Sequence, residues 1–199
     1  MLIECVPNFS EGRDRAVIET TVGLLDAEAA GPDRVAVDMG PARLDWREIP
    51  LKAPADTLHL GVEAGPLGDG VAVNIGNPHV VFFVADAEAV DLERWGPVVE
   101  HDPVFPERTN VEVAEVISPT EIRMRVWERG VGITRACGSG ACATLVAAHR
   151  RGLIGRVADI RLDGGTLQIE WLETGYVRMT GPAAVSFHGT LNGGLLGRE

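Results

Sequence analysis

One segment constrains this chain more than any other. Residues 140–151, GACATLVAAHRR, are apolar or small almost all round until the basic last turn, and Gly152 follows where a helix C-cap favours glycine. A helix without a polar face must be buried on most sides. Around it the sequence offers mainly short alternating or β-branched runs: Arg34 to Met39, Thr57 to Val62, Val71 to Ile75, Val80 to Val84, Val111 to Ile117, Glu121 to Trp127, Val157 to Leu162, Thr166 to Trp171 and Tyr176 to Thr180. Many strands and one buried helix predict an α+β fold, a mostly antiparallel sheet wrapped around that central helix. A second, surface helix is expected over Leu92 to Glu100, opened by Asp91 and interrupted by Gly96-Pro97. Residues 10–30 are ambiguous, because AVIETTVGLLDAEAA reads equally well as a helix or as two short strands.

Charge narrows the function. The 199 residues carry 18 cations against 29 Asp and Glu, a net charge of −11, and Lys52 is the only lysine. Lys52 follows Pro50 in a loop-like stretch, which suits neither a P-loop nor Schiff-base chemistry with pyridoxal phosphate. The acidic balance argues against nucleic acid and anionic membrane as partners and favours a small molecule. Cys5, Cys137 and Cys142 are too few for a disulfide framework and contain no Cys-x-x-Cys pair, so no metal is expected. The N-terminus lacks a basic start and a continuous apolar core, and no run reaches the ~20 apolar residues of a membrane helix. These features predict a cytoplasmic protein.

The densest chemistry lies in residues 126–143, VWERGVGITRACGSGACA. In the strand Glu121 to Trp127, Ile122, Met124 and Val126 share one face, and continued alternation places Glu128 on it. A carboxylate there either serves a site or, if the strand ends at Trp127, caps a turn or pairs with Arg129. Next, Cys137-Gly138-Ser139-Gly140 runs into the buried helix. Gly-rich backbone at a helix N-terminus offers free N–H groups and a positive field, which suit a carboxylate or phosphate and would lower a thiol pKa. The alternative is an N-cap with an inert cysteine. Cys142 lies about 140° around the helix from Cys137, so it reads as a core residue that cannot bridge to it. Asn77-Pro78-His79 fixes an amide at a strand end, and Asn110 precedes the strand at Val111.

Taken together, VDMGPARLDWREIPL, VAVNIGNPHVVFFV, HDPVFPERTNVEVAEV, VWERGVGITRACGSGACATLVAAHRRGL and LDGGTLQIEW resemble, in order and spacing, the second lobe of diaminopimelate epimerases over about Val22 to Thr190. Proline-racemase-like and phenazine-biosynthesis isomerases share that fold, but the GNPH and ERGxG…CGSGAC strings favour the diaminopimelate branch. The resemblance implies two similar lobes with a site between them. It also implies cofactor-independent conversion of LL-diaminopimelate to the meso form, for lysine and cell-wall synthesis, by a thiolate and a thiol on opposite faces of the α-carbon. Cys137 resembles the second-lobe catalytic cysteine, and His79 and Glu128 the pair that tunes the thiols. Gly138 and Ser139 would bind the substrate carboxylate, and Asn77, Asn110, Glu128 and Arg129 its polar ends. Ile133 stands where the family's ERGxGET carries a glutamate.

The family's first lobe bears the partner cysteine in a CGNG-type motif. Residues 1–21 stand in its place here, residues 22–190 form the second lobe, and residues 191–199 are expected to be a flexible tail. Residues 1–19 resemble the start of glutamate formiminotransferases. A homodimer or a complementing first-lobe chain would complete the site; otherwise the chain is a lobe that binds an amino acid or a partner without turnover. Val185 to Thr190, without the first-lobe sheet, is expected either to pair with Leu2 to Val6 or to be a poorly ordered tail.

Overall fold

The computed structural model describes the backbone of residues 15–20 and 23–184 and the side chains of residues 25–184. The expected pairing of Leu2 to Val6 with Val185 to Thr190 lies outside the described residues. Within them, β1 (Arg15–Thr20), β2 (Gly23–Ala29), β3 (Arg34–Pro41), β4 (Val71–Asn74), β5 (Pro78–Phe83), β6 (Asn110–Ser118), β7 (Glu121–Glu128), β8 (Gly132–Thr134), β9 (Val157–Leu162), β10 (Gly165–Trp171) and β11 (Tyr176–Pro182) form one sheet. Its order is β1-β2-β3-β11-β10-β9-β7-β6-β5-β4, with β8 paired to β7. Every pairing is antiparallel except β5 with β6 and β7 with β9. The two helices are α1 (Leu92–Glu100) and α2 (Gly138–Arg150).

Helix α2 is the centre, as its composition requires. All nine residues Gly140 to Ala148 are buried. They pack with Val71, Val73, Val81, Ala114, Ile122, Met124, Val126, Ile160 and Ile169 from the enclosing strands. The opposite face of β4 to β6 carries a second core, in which Ala72, Val80, Phe82, Val111 and Val113 meet Leu92 and Val99 of α1 and the buried Ile49, Leu60, Val62 and Leu67 of the long β3–β4 connection. Strands β5 and β6 are therefore buried on both faces over most of their length, and His79, Asn110 and Glu112 are the polar side chains buried within them.

Three segments differ from the sequence expectations or resolve them. Strands β1 and β2 pair antiparallel from Arg15↔Glu28 to Thr20↔Gly23, consistent with the β-branched Val17, Ile18 and Thr20 of β1. Thr57 to Val62 is not a strand. Leu60 forms only an isolated bridge with Gly70, and the Val62 N–H turns back to donate to the Leu60 carbonyl (2.9 Å), so the chain bends while its apolar side chains still bury. Strand β8 is a further element, held to β7 by Gly132↔Glu128 and Thr134↔Val126. Helix α1 keeps its expected bounds despite Pro97, with Asp91 accepting the Arg94 N–H at 3.2 Å. No helix among the described residues is long and apolar enough to cross a membrane.

Candidate active site

Strand register brings the chemistry together. In the parallel pair β5–β6, His79 lies beside Asn110, and in β6–β7 Val111 lies beside Trp127 and Glu112 beside Val126. The starts of β5 and β6 and the end of β7 therefore meet at one end of the sheet. By alternation His79, Glu112 and Glu128 share the face of Val81, Ala114 and Val126, which is the face turned to α2. The N-terminus of α2 opens onto the same end.

Cys137 is the N-cap of α2, with extended backbone and 8% exposure. The Gly140 N–H donates to its Sγ (3.3 Å), the Ala141 N–H donates to its carbonyl (3.0 Å), and Ser139 Oγ lies 3.6 Å from its Sγ. The first N–H groups of a helix have no intrahelical partner. With Gly140 and Ala141 occupied, those of Gly138 and Ser139 are the pair left for a ligand. The helix field was expected to lower the thiol pKa. It is instead pushed up to about 12, first by burial and then by the negative charges of Glu112 and Glu128. At neutral pH Cys137 holds its proton. Cys142 is fully buried, and burial pushes its thiol up as well; both cysteines are free.

Glu128 does lie on the α2 face, half-buried, and accepts a hydrogen bond from Thr134 Oγ1 of β8 rather than pairing with Arg129. The hairpin that carries it turns through Gly130 (φ +74°) and Gly132 (φ +106°), conformations side chains rarely adopt, which accounts for the glycines of the ERGVG string. Asn110 is buried and clamps the neighbourhood. Its Nδ2 donates to the Pro78 carbonyl (2.9 Å), and its Oδ1 accepts the Arg129 N–H (2.9 Å). The Arg129 guanidinium is exposed and donates to the Glu107 carbonyl at 3.1 Å. Ile133 is 39% exposed, on the side of β8 away from Thr134, so its replacement of a family glutamate leaves the Glu128–Thr134 contact intact.

Two buried carboxylates, Glu112 and Glu100, border these residues. Glu112, fully buried, accepts from or shares a proton with His79 Nδ1 across 2.6 Å, while His79 Nε2 lies 2.9 Å from Asn77 Oδ1. Burial raises the Glu112 pKa, with His79 opposing. Glu100, also buried, accepts from Trp127 Nε1 (2.7 Å) and from the Gly130 N–H (2.9 Å), tying α1 to the turn that bears Glu128 and Arg129. A carboxylate inside an apolar strand was the available signal for Glu112. For Glu100, the last residue of an amphipathic helix, no sequence signal stood out.

Gly140 is small for a steric reason. A Cβ there would sit 2.8 Å from Glu112 Oε1 and 3.2 Å from Cys137 Sγ, and neither neighbour is free to withdraw. Gly140→Ala should therefore lower stability by about 1–3 kcal/mol in urea unfolding, despite the better helix propensity of alanine.

The comparisons agree with this architecture. The family model described as diaminopimelate epimerase matches residues 71–186. A diaminopimelate epimerase of Rhodospirillum centenum is 61% identical over 185 residues, covering 93% of this chain and 64% of the relative, and one of Phenylobacterium zucineum is 56% identical over 186 residues, covering 92% and 67%. The chain thus spans about two thirds of the length of these relatives. Among solved structures, a hydroxyproline epimerase from Agrobacterium vitis shares the fold at TM-score 0.58 and 18% identity, over 85% of this chain and 57% of that one. A phenazine biosynthesis protein from Enterococcus faecalis does so at TM-score 0.58 and 15% identity, over 90% and 65%. These findings do not support the resemblance of residues 1–19 to glutamate formiminotransferases. With a family model over more than half its residues and relatives more than half identical, the chain belongs to the diaminopimelate epimerase family.

Proposed function

We propose that this chain transfers a proton at the α-carbon of diaminopimelate through Cys137, in the cofactor-independent conversion of the LL to the meso form. The observation that carries this reading is the Cys137 thiol at the cap of a helix whose next two N–H groups are open. A substrate carboxylate on the Gly138 and Ser139 N–H groups would sit in the positive field of α2, with its α-carbon near Sγ. The same hydrogen bonds favour the carbanionic intermediate, because charge moves from Cα into that carboxylate as the proton leaves. Asn77, Asn110, Glu128 and Arg129 hold the remaining polar groups, and His79 and Glu128 set the charge around the thiol. In this site Cys137 in its resting state is the donor, and the acceptor works from the opposite face of the carbon.

Cys142 cannot be that acceptor, since it is fully buried within the helix core. The opposing group therefore comes from outside the described residues. The substrate is an amino acid, nucleic acid and membrane are not partners, and the protein works in the cytoplasm. Residues 22–190 act as the second lobe. Incubation with LL-diaminopimelate, followed by chiral chromatography, should yield the meso form. One observation favours a second reading: among the described residues only one thiol borders the site. Heat of ligand binding in calorimetry with no meso product would identify a non-catalytic amino-acid-binding lobe instead.

A further inference from the structure

Beneath the first turn of α2, the fully buried carboxylate of Glu112 lies between two groups of the site. Oε1 is 2.6 Å from His79 Nδ1, and the same atom lines, with Cys137 Sγ, the space where a Cβ of Gly140 would fall. Oε2 is buried with no hydrogen-bond partner among the described residues. A carboxylate so placed is expensive to bury as a mere strand residue, since Val111 and Val113 on either side show how readily β6 takes apolar side chains. It is also the arrangement that orients a histidine. A carboxylate on Nδ1 and the Asn77 side chain 2.9 Å from Nε2 hold the ring at both nitrogens.

We propose that Glu112 is a positioning residue of this site: it locks the His79 ring between β5 and β6 and places a carboxylate behind Gly140, against Cys137 Sγ, that opposes ionisation of the thiol. This rests on the reading of Cys137 as the proton-transferring group. The groups acting on that thiol are Glu112 from β6, Glu128 from β7, and Ser139 Oγ and the Gly140 N–H from α2, with the buried Cys142 farther along the helix; His79 of β5 lies behind Glu112. Glu112 is the nearer of the two carboxylates in effect, and removing its charge should free the thiol more than removing that of Glu128.

The test reads Cys137 directly, without substrate. Alkylation of the intact protein by iodoacetamide is followed across pH, with the modified cysteine located by fragmentation mass spectrometry. In Glu112→Gln, which keeps the shape and a hydrogen bond to His79, the midpoint of Cys137 reactivity should fall by about one pH unit, about ten times more thiolate at a given alkaline pH. Glu128→Gln should shift it less. An unchanged or raised midpoint in Glu112→Gln, or a larger shift in Glu128→Gln, overturns the proposal. If Glu112→Gln does not fold, the unsubstituted protein answers the question: the Cys137 ¹³Cβ resonance should show a second inflection where the Glu112 carboxyl carbon titrates. A resonance with only its own thiol inflection refutes the role. Either failure leaves the epimerase reading standing, because that reading is judged by product formation.

Discussion

Cys137→Ser is expected to slow proton exchange at the α-carbon of diaminopimelate by about 10²- to 10⁴-fold while changing substrate affinity little. The hydroxyl is nearly isosteric and can still accept the Gly140 N–H that Sγ takes at 3.3 Å, so the cap of α2 and the open N–H groups of Gly138 and Ser139 are preserved. What is lost is an acid whose proton a carbanion can take and whose conjugate base can take it back. Calorimetric affinity and exchange rate, measured side by side, separate these effects. A parallel Cys142→Ala variant should exchange normally, since that side chain is fully buried and faces the core. Equal loss in both variants would mean that packing around α2, not the Cys137 thiol, accounts for the activity.

His79→Leu should produce the largest loss of stability, about 3–5 kcal/mol at pH 8, because it leaves the buried Glu112 charge without its partner. Leucine fills much of the ring's volume, so cavity formation contributes little. The loss should depend on pH in a definite direction. Burial holds the folded-state pKa of Glu112 above its ordinary value, and deleting His79 removes the two influences that oppose this. The folded variant then binds a proton more tightly than the unfolded chain. Its stability from this group is fully present below the unfolded carboxyl pKa and is lost as pH rises through the raised folded value. Urea unfolding of both proteins at pH 5 and pH 8 should therefore show the smaller difference at pH 5. A difference that is the same at both pH values would mean that Glu112 binds protons alike with and without His79, contrary to this account of the pair.

The parts of this molecule legible in its sequence are those fixed by local pattern. The all-round apolar character of residues 140–148 announced the buried helix, and alternation along β7 put Glu128 on the α2 face. The glycines of ERGVG and CGSG marked backbone that had to turn or make room. What escaped was set by pairing between distant segments. Glu112 and His79 meet because β5 and β6 are parallel and in a particular register, and nothing within either strand specifies that. Glu100 reaches the β7–β8 turn only through packing of α1 on the sheet. The direction of the Cys137 pKa was misjudged for the same reason. A helix terminus is visible in a sequence, whereas burial and two carboxylates arriving from β6 and β7 are not. Thr57 to Val62 misled because apolar alternation reports burial, and here burial is achieved by a bent loop without a ladder.

The central claim is that Cys137 moves a proton at the α-carbon of diaminopimelate. The most direct measurement is incubation of the protein with LL-diaminopimelate in D₂O, with deuterium at each α-carbon followed by NMR and mass spectrometry. Meso product carrying one deuterium at the inverted carbon is expected, formed about 10²- to 10⁴-fold more slowly by Cys137→Ser. Bound substrate that recovers its full α-protium, with no meso form, would contradict the claim.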